Sequence, residues 1–403
     1  MEDIHSLKVV ALETSSRIPK YLIANGNQHW EVSSAIAYLI MAFQQTQELG
    51  EVASLFSERC KKTYSKEEVN RLAETYIHPI LNNDSAVGTS KPFILRITLL
   101  SAEQVAVFSE HLKFLFRKSV IITLFAIIMA LEILFFTIQE FSSKIGDLSV
   151  LVMLGVFGLY ILSSFFHELG HASACKHFGI DHGGVGFGLY LNLPVFYTDV
   201  TQVWRLKRKE RMVVNVAGAY FQLILLVPLI ILSLTYNWPI LRYFILVINL
   251  NFLLTLNPFF KFDGYWILSD LLGVPNLRKR TNELISYYFK RLRGKPVEKR
   301  PFLLDIKPIE KAIAFFYTVV VNMFFAYYFC YFIPSFLISF FEDFPSLFKQ
   351  VLDCVAVGIL PNFSTLKAVI SQLAIFALSS FFIYMTGKCC LKFIKIGNIK
   401  SKV

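Results

Sequence analysis

The sequence predicts a polytopic α-helical membrane protein, with about six transmembrane helices and a small N-terminal α+β soluble domain of winged-helix-like pattern. Three observations carry this. The 403 residues are 55% hydrophobic and only 17% charged, where a soluble domain has about 45–50% apolar and about 25% charged residues. Past Lys118 the chain repeats apolar stretches near the length of about 20 residues that a bilayer requires. The first hundred residues are mixed and polar, with no signal-peptide pattern at their start. A net charge of +11 raises nucleic acid as a partner, but the cations gather beside the apolar spans. That is the positive-inside pattern, so no nucleic acid is expected. The six cysteines form no CxxC pair and no regular ladder, and read as free thiols.

Residues 1–82 form the first domain. Lys8 to Glu13, Tyr21 to Ala24 and Gln28 to Val32 read as strands, with Asn25-Gly26-Asn27 as a hairpin signal. Ser33 or Ser34 caps a helix to about Gln45, whose Ile36, Leu39, Ile40 and Phe43 recur at helical spacing. A second helix covers about Glu48 to Cys60. A third opens on the capping box Ser65-Lys66-Glu67-Glu68 and runs to about Leu81. Three short strands followed by three helices resemble the PqqD-like family, the peptide-recognition domains of ribosomal-peptide maturation systems. The same pattern also fits a winged-helix-like packing domain without a ligand. The resemblance implies a peptide docked between the third strand and third helix, with Trp30, Leu72 and Tyr76 as substrate-binding candidates. The partner it implies is a ribosomally made precursor peptide, with a peptide-modifying enzyme or exporter as a further one.

Residues 83–118 read as a polar linker, a strand from Phe93 to Leu100, and an interfacial helix capped by Ser101-Ala102-Glu103-Gln104. Val105, Phe108, Leu112 and Leu115 make its apolar stripe. The membrane domain covers 119–388, with spans at about Val120–Ile138, Leu148–Cys175, Val213–Tyr236, Ile240–Phe260, Ile309–Ser339 and Leu366–Met385. Residues 389–403 form a basic tail. Cations alternate between the connections: dense before the first span, at Arg205–Arg211, at Arg278–Arg300 and after the last span, sparse elsewhere. Both termini are therefore expected in the cytoplasm of a cell in which the chain is a multi-pass plasma-membrane protein.

Inside the second span lies Phe166-His167-Glu168-Leu169-Gly170-His171. Residues four apart on a helix share a face, so both imidazoles project together and can take two corners of a tetrahedral zinc site. Glu168 is rotated off that edge, placed to handle a proton of the attacking water. Ionisable groups are costly in a bilayer and are a functional hypothesis by default. The fourth span runs in the same direction and ends in Asn257-Pro258-Phe259-Phe260-Lys261-Phe262-Asp263-Gly264. Asp263 thus reaches a similar depth and is the natural third ligand. Together, His167-Glu168-Leu169-Gly170-His171-Ala172 and Pro258 with Asp263-Gly264 resemble the site-two protease family of intramembrane zinc metalloproteases, over about residues 148–275. The resemblance implies one Zn2+ on His167, His171 and Asp263, with Glu168 as catalytic base and acid. The family often has an asparagine three positions before the proline. Here Thr255 stands there, and Asn257 adjoins Pro258 instead. Tyr197-Thr198-Asp199-Val200 and Ala217-Gly218 look like the branch associated with peptide maturation.

The function expected is hydrolysis of a peptide bond in the maturation, by leader cleavage, or export of a ribosomally made peptide. The alternative is a non-proteolytic peptide-binding export or immunity component, against which the complete zinc set argues. A di-iron oxidase would need more histidine boxes than eight histidines supply. His177, Asp181 and His182 precede Gly183-Gly184 and read as a solvated turn, Asp199 as a loop cap, and Asn215, Asn249, Asn251 and Asn322 as interhelical hydrogen-bonding groups.

Overall fold

The hairpin signal sets the register of the N-terminal domain. Strands β1 (Lys8–Leu12), β2 (Lys20–Asn25) and β3 (Gln28–Ser33) form an antiparallel sheet in the order β1-β2-β3. Asn25 pairs with Gln28, and Gly26 takes φ +56°, the left-handed conformation such a two-residue turn demands. Four helices follow: α1 (Ser34–Gln45), α2 (Leu49–Cys60), α3 (Lys66–Tyr76) and α4 (His78–Leu81). The capping box at Ser65 and Glu68 is made in both directions. The third predicted helix is split at Ile77, because Pro79 lacks the N–H that would continue the helical ladder. Ile23, Leu39, Ile40, Val52, Phe56, Val69 and Ile77 close a core between sheet and helices. Each such fully buried side chain contributes roughly 1.5–3 kcal/mol.

The computed structural model describes residues 2–26, 28–82, 93–139, 150–190, 193–236, 238–296, 300–359 and 362–400. The predicted linker at 83–92 and the acidic and basic residues of the connection at 140–149 lie outside that set.

A second antiparallel sheet, β4 (Phe93–Leu100), β5 (Val185–Tyr190) and β6 (Leu193–Thr198), runs in the order β4-β5-β6. The sequence announces β4. The β5–β6 hairpin is hidden by Gly183, Gly184, Gly186 and Gly188, which break the apolar alternation. Helix α5 (Ala102–Leu112) has the predicted capping box. Val105 of the predicted stripe is buried, and so is Leu115 just past the helix, but Phe108 points outward and is more than half exposed, with Ser109 buried in its place.

The long helices are α6 (Lys118–Ile138), α7 (Val150–His177), α8 (Arg208–Tyr236), α9 (Pro239–Thr255), α10 (Asp263–Leu272), α11 (Leu277–Leu292), α12 (Pro308–Tyr327), α13 (Ile333–Ala356) and α14 (Phe363–Lys400). Among the described residues, four segments are long and apolar enough to cross a membrane: Lys118–Ile138, Arg208–Tyr236, Pro308–Ala356 and Ser364–Phe381. Of the expected six, the spans on α7 and α9 are not among these four. Helix α9 has 17 residues, under the usual span length, and α7 carries polar site residues through its last three turns. The fifth predicted span is part of one 49-residue helix, α12 running into α13 through a π turn at Tyr328–Phe332. Helix α8 lies at the centre, packed against α6, α7, α9 and α10.

Candidate metal centre

Helix α7 supplies two candidate ligand atoms and the first residue of α10 supplies the third. His167 Nε2 lies 3.0 Å and His171 Nε2 3.4 Å from Asp263 Oδ2, and the two Nε2 atoms are 3.2 Å apart. Tetrahedral ligands at about 2.0–2.2 Å from a zinc ion sit about 3.3–3.6 Å from one another. The observed triangle is slightly tighter than that and closes on a cation with little movement. The chemistry of the donors agrees. His171 Nδ1 is 2.8 Å from the Val214 carbonyl oxygen, so in the neutral ring it carries the proton and donates it there. The Nε2 lone pair then faces a carboxylate oxygen. Two buried electron-rich atoms in contact repel unless a cation or a proton lies between them. Val214 thereby fixes the tautomer of a ligand imidazole, as outer partners in metal sites do. Among the described residues, these three are the group of His, Cys, Asp and Glu side chains whose ligand atoms converge for a metal.

Close packing of α8 makes room for the site. A Cβ at Gly218 would fall 2.3 Å from His167 Nε2 and 2.5 Å from His171 Nε2. No other residue type leaves that space open. Gly218→Ala is expected to displace an imidazole and to weaken zinc binding by more than about tenfold, as loss of ligand orientation does; chelator competition on the purified variant checks this. Gly264 serves α10 in the same way. A Cβ there would lie 2.0 Å from the Leu256 carbonyl oxygen, so glycine is what lets α10 start against the end of α9. The connection between them is held by Asn257, whose Oδ1 accepts from Phe259 N at 2.8 Å, and by Tyr317, whose hydroxyl donates to Pro258 O at 3.1 Å.

Glu168 is half-buried next to His167, and its backbone oxygen accepts a hydrogen bond from Thr198 Oγ1 of β6 at 3.2 Å. The end strand of the second sheet thus lies against the helix turn that carries it. About one turn earlier in α7, Ser163 Oγ accepts from Gln222 Nε2, whose amide oxygen accepts from Asn251, which in turn accepts from the Tyr160 hydroxyl, all at 3.3 Å. Asn249 Nδ2 donates to Glu132 at 3.2 Å, naming the partner of an ionisable group that the sequence leaves without one.

The set-aside residues lie elsewhere. His182 is buried with its Nε2 3.0 Å from Ser109 Oγ, and burial holds its imidazole below the ordinary range. Asp181 is exposed and faces Lys176 at 3.7 Å. Asp199 caps the loop by accepting from Thr201 N. The substrate-binding candidates separate. Leu72 and Tyr76 line a groove of about 590 Å³ beside β3, whereas Trp30 is 4% exposed and packs into the domain core. The strand contributes Glu31, Val32 and Ser33 to the groove wall in its place.

Sequence reasoning also passes over Arg211 and Asp270. Both are buried; Arg211 Nε donates to Asp270 Oδ1 at 2.7 Å and Asn215 Nδ2 to Oδ2 at 2.8 Å. Burial raises the Asp270 carboxyl above the usual range even with these partners. Removing one partner of such a pair typically costs about 3–5 kcal/mol. The pair clamps α8 to α10, but its members stand 59 residues apart with no local pattern to announce them.

A Bacillus subtilis (strain 168) protein named "Putative peptide zinc metalloprotease protein YydH" is similar to this chain, with 30% identity over 126 residues. The match covers 30% of this chain, and the chain spans about half the length of that relative. No family model matches the chain, and no solved structure does.

Proposed function

We propose that this chain is a membrane-embedded zinc metalloendopeptidase that cleaves a ribosomally made precursor peptide. The observation that carries the reading is the triangle of His167, His171 and Asp263, with Glu168 adjoining it on the same helix. The similarity to a protein named as a peptide zinc metalloprotease supports it. Zinc bound by these residues would acidify a water molecule and polarise the scissile carbonyl. Glu168 accepts the proton of the attacking water and passes it to the leaving amine nitrogen. The two histidines and Asp263 hold their donor atoms in place, His171 through Val214 and Asp263 through the start of α10.

The substrate must present an extended backbone, because the amides of a helix in a bilayer are satisfied internally. Among the described residues β6 pairs on one side, with β5. Its other side is an edge next to the Glu168 turn, where an extended peptide can add as a strand. Recruitment falls to the N-terminal domain, through the groove lined by Leu72, Tyr76, Val32, Ile36 and Phe56 beside the β3 edge.

Six crossings with both termini in the cytoplasm complete the reading. Contacts support it: Glu31 of β3 pairs with Arg280 of α11 at 2.8 Å, and Arg208 N at the start of α8 donates to Glu13 at 2.9 Å. The N-terminal domain, the Arg205–Arg211 segment and α11 therefore share one side of any bilayer, the side that the cations mark as cytoplasmic. The test is metal removal. Stripping the purified protein with a chelator should abolish cleavage of the cognate precursor, and one equivalent of zinc per chain should restore it. Cleavage that persists in the stripped protein would overturn the assignment.

A further inference from the structure

The N-terminal domain does more than stand beside the membrane helices. Its β1–β2 loop, residues 13–19, is built into the far end of the helix that presents Asp263. We propose that Arg211 and Asp270 are positioning residues through which docking of this loop holds Asp263 in the ligand set. The inference rests on the metal-centre reading above.

Helix α10 has ten residues, fewer than the roughly 12–15 at which an isolated helix becomes even marginal in water. Its stability comes from its neighbours, and the carbonyls of its last turn show which. Helix ends leave four carbonyls without intrahelical donors. Ser269 O accepts from Val274 N at 2.9 Å, and Asp270 O from Gly273 N at 3.0 Å. The Arg208 guanidinium donates to Asp270 O and Leu271 O. Ser15 of the loop takes the last one, its Oγ donating to Leu272 O at 2.5 Å and its N to Gly273 O at 2.9 Å. Ser15 is 1% exposed. The chain on either side is tied down as well, with Arg17 N donating to Asp305 O and Lys307 N to Ser15 O.

The same loop reaches α8. Glu13 Oε2 accepts from Arg208 N, and Glu13 O accepts from the Arg211 guanidinium at 3.4 Å. Arg211 holds Asp270 through the Nε of the same guanidinium. Within the next seven residues of α8, the Val214 carbonyl accepts from His171 Nδ1, Asn215 donates to Asp270, and Gly218 leaves space for both imidazoles. One stretch of α8 therefore touches the loop, the third-ligand helix and both histidines. A loop that leaves α10 withdraws a carbonyl partner and loosens the guanidinium that fixes Asp270. Coupling of this kind is reciprocal: if docking favours zinc, zinc favours docking by the same factor.

The experiment uses the full chain in detergent and zinc alone as probe. Ser15→Pro removes both donors to α10 and is expected to weaken zinc binding by about tenfold or more in chelator competition, in the range of outer-partner losses. Ser15→Thr keeps both donors and should bind as the wild type does. Glu31→Gln weakens a different contact of the domain, with α11, leaves the bonds of residues 13–19 in place, and as a site sharing no partner with them should leave zinc affinity within about twofold. A merely adhesive role for the interface predicts no such division. Independently of any variant, zinc added to the wild type should slow amide exchange at residues 13–17 and 270–273. Equal zinc affinity in the wild type and folded Ser15→Pro, or exchange at the loop unmoved by zinc, would overturn the proposal. A wild-type chain that takes no zinc would instead overturn the metal centre itself, and this inference with it.

Discussion

Glu168→Gln is expected to lose peptide hydrolysis by at least about 10²–10⁴-fold, the typical worth of a positioned acid–base group, while zinc content stays at the wild-type level. The substitution keeps size and shape, and the residue is not one of the three converging ligands. Its backbone contact with Thr198 Oγ1 involves the main chain, so the amide leaves it in place. On the proposed mechanism, what is lost is the group that takes a proton from water and returns it to the leaving amine. Turnover of a fluorogenic peptide carrying the precursor's cleavage site, read beside metal analysis of the same preparation, checks the prediction. Wild-type turnover in the variant would remove the protease reading and favour a chain that binds peptides for export or immunity.

Asp263→Ala is expected to lose most of its zinc, falling from about one ion per chain to a small fraction. With the carboxylate gone, two imidazoles remain, and a hydrolytic zinc site ordinarily has three protein ligands. Among the described residues no other His, Cys, Asp or Glu converges on the pair to take its place. His182 is committed to Ser109, and Asp181 is exposed beside Lys176. Full zinc occupancy in this variant would reassign the third ligand. Because Gly264 and Tyr317 hold the α9–α10 connection through contacts that Asp263 does not make, the variant should retain the wild-type helical content, which circular dichroism can establish.

The site's polar atoms were legible because their chemistry is local. His167 and His171 declare themselves by a spacing of four within an apolar run, and Asp263 by its place at the end of another. The first domain was legible for a similar reason, with Asn25-Gly26-Asn27, Ser65 and Glu68 each fixing a boundary through a neighbour at most three residues away. What escaped depends on partners far along the chain. Gly218 matters because of atoms on α7, and Arg211 because of Asp270. Trp30 looks like a ligand-binding aromatic in sequence, but the strand's pairing turns it into the core. The sequence also presents residues 1–82 as a separable module, whereas Ser15 and Glu31 tie that module to α10 and α11. Two of the expected spans, on α7 and α9, fall outside the four long apolar segments, since a helix packed against others can be short, like α9, or polar in its last turns, like α7.

The central claim is that His167, His171 and Asp263 hold a zinc ion. Anomalous scattering from crystals of the purified chain, collected on either side of the zinc absorption edge, tests it most directly. One peak per chain is expected, about 2.0–2.2 Å from His167 Nε2, His171 Nε2 and an Asp263 carboxylate oxygen. A peak bound by other residues, or none in protein loaded with zinc, would contradict it.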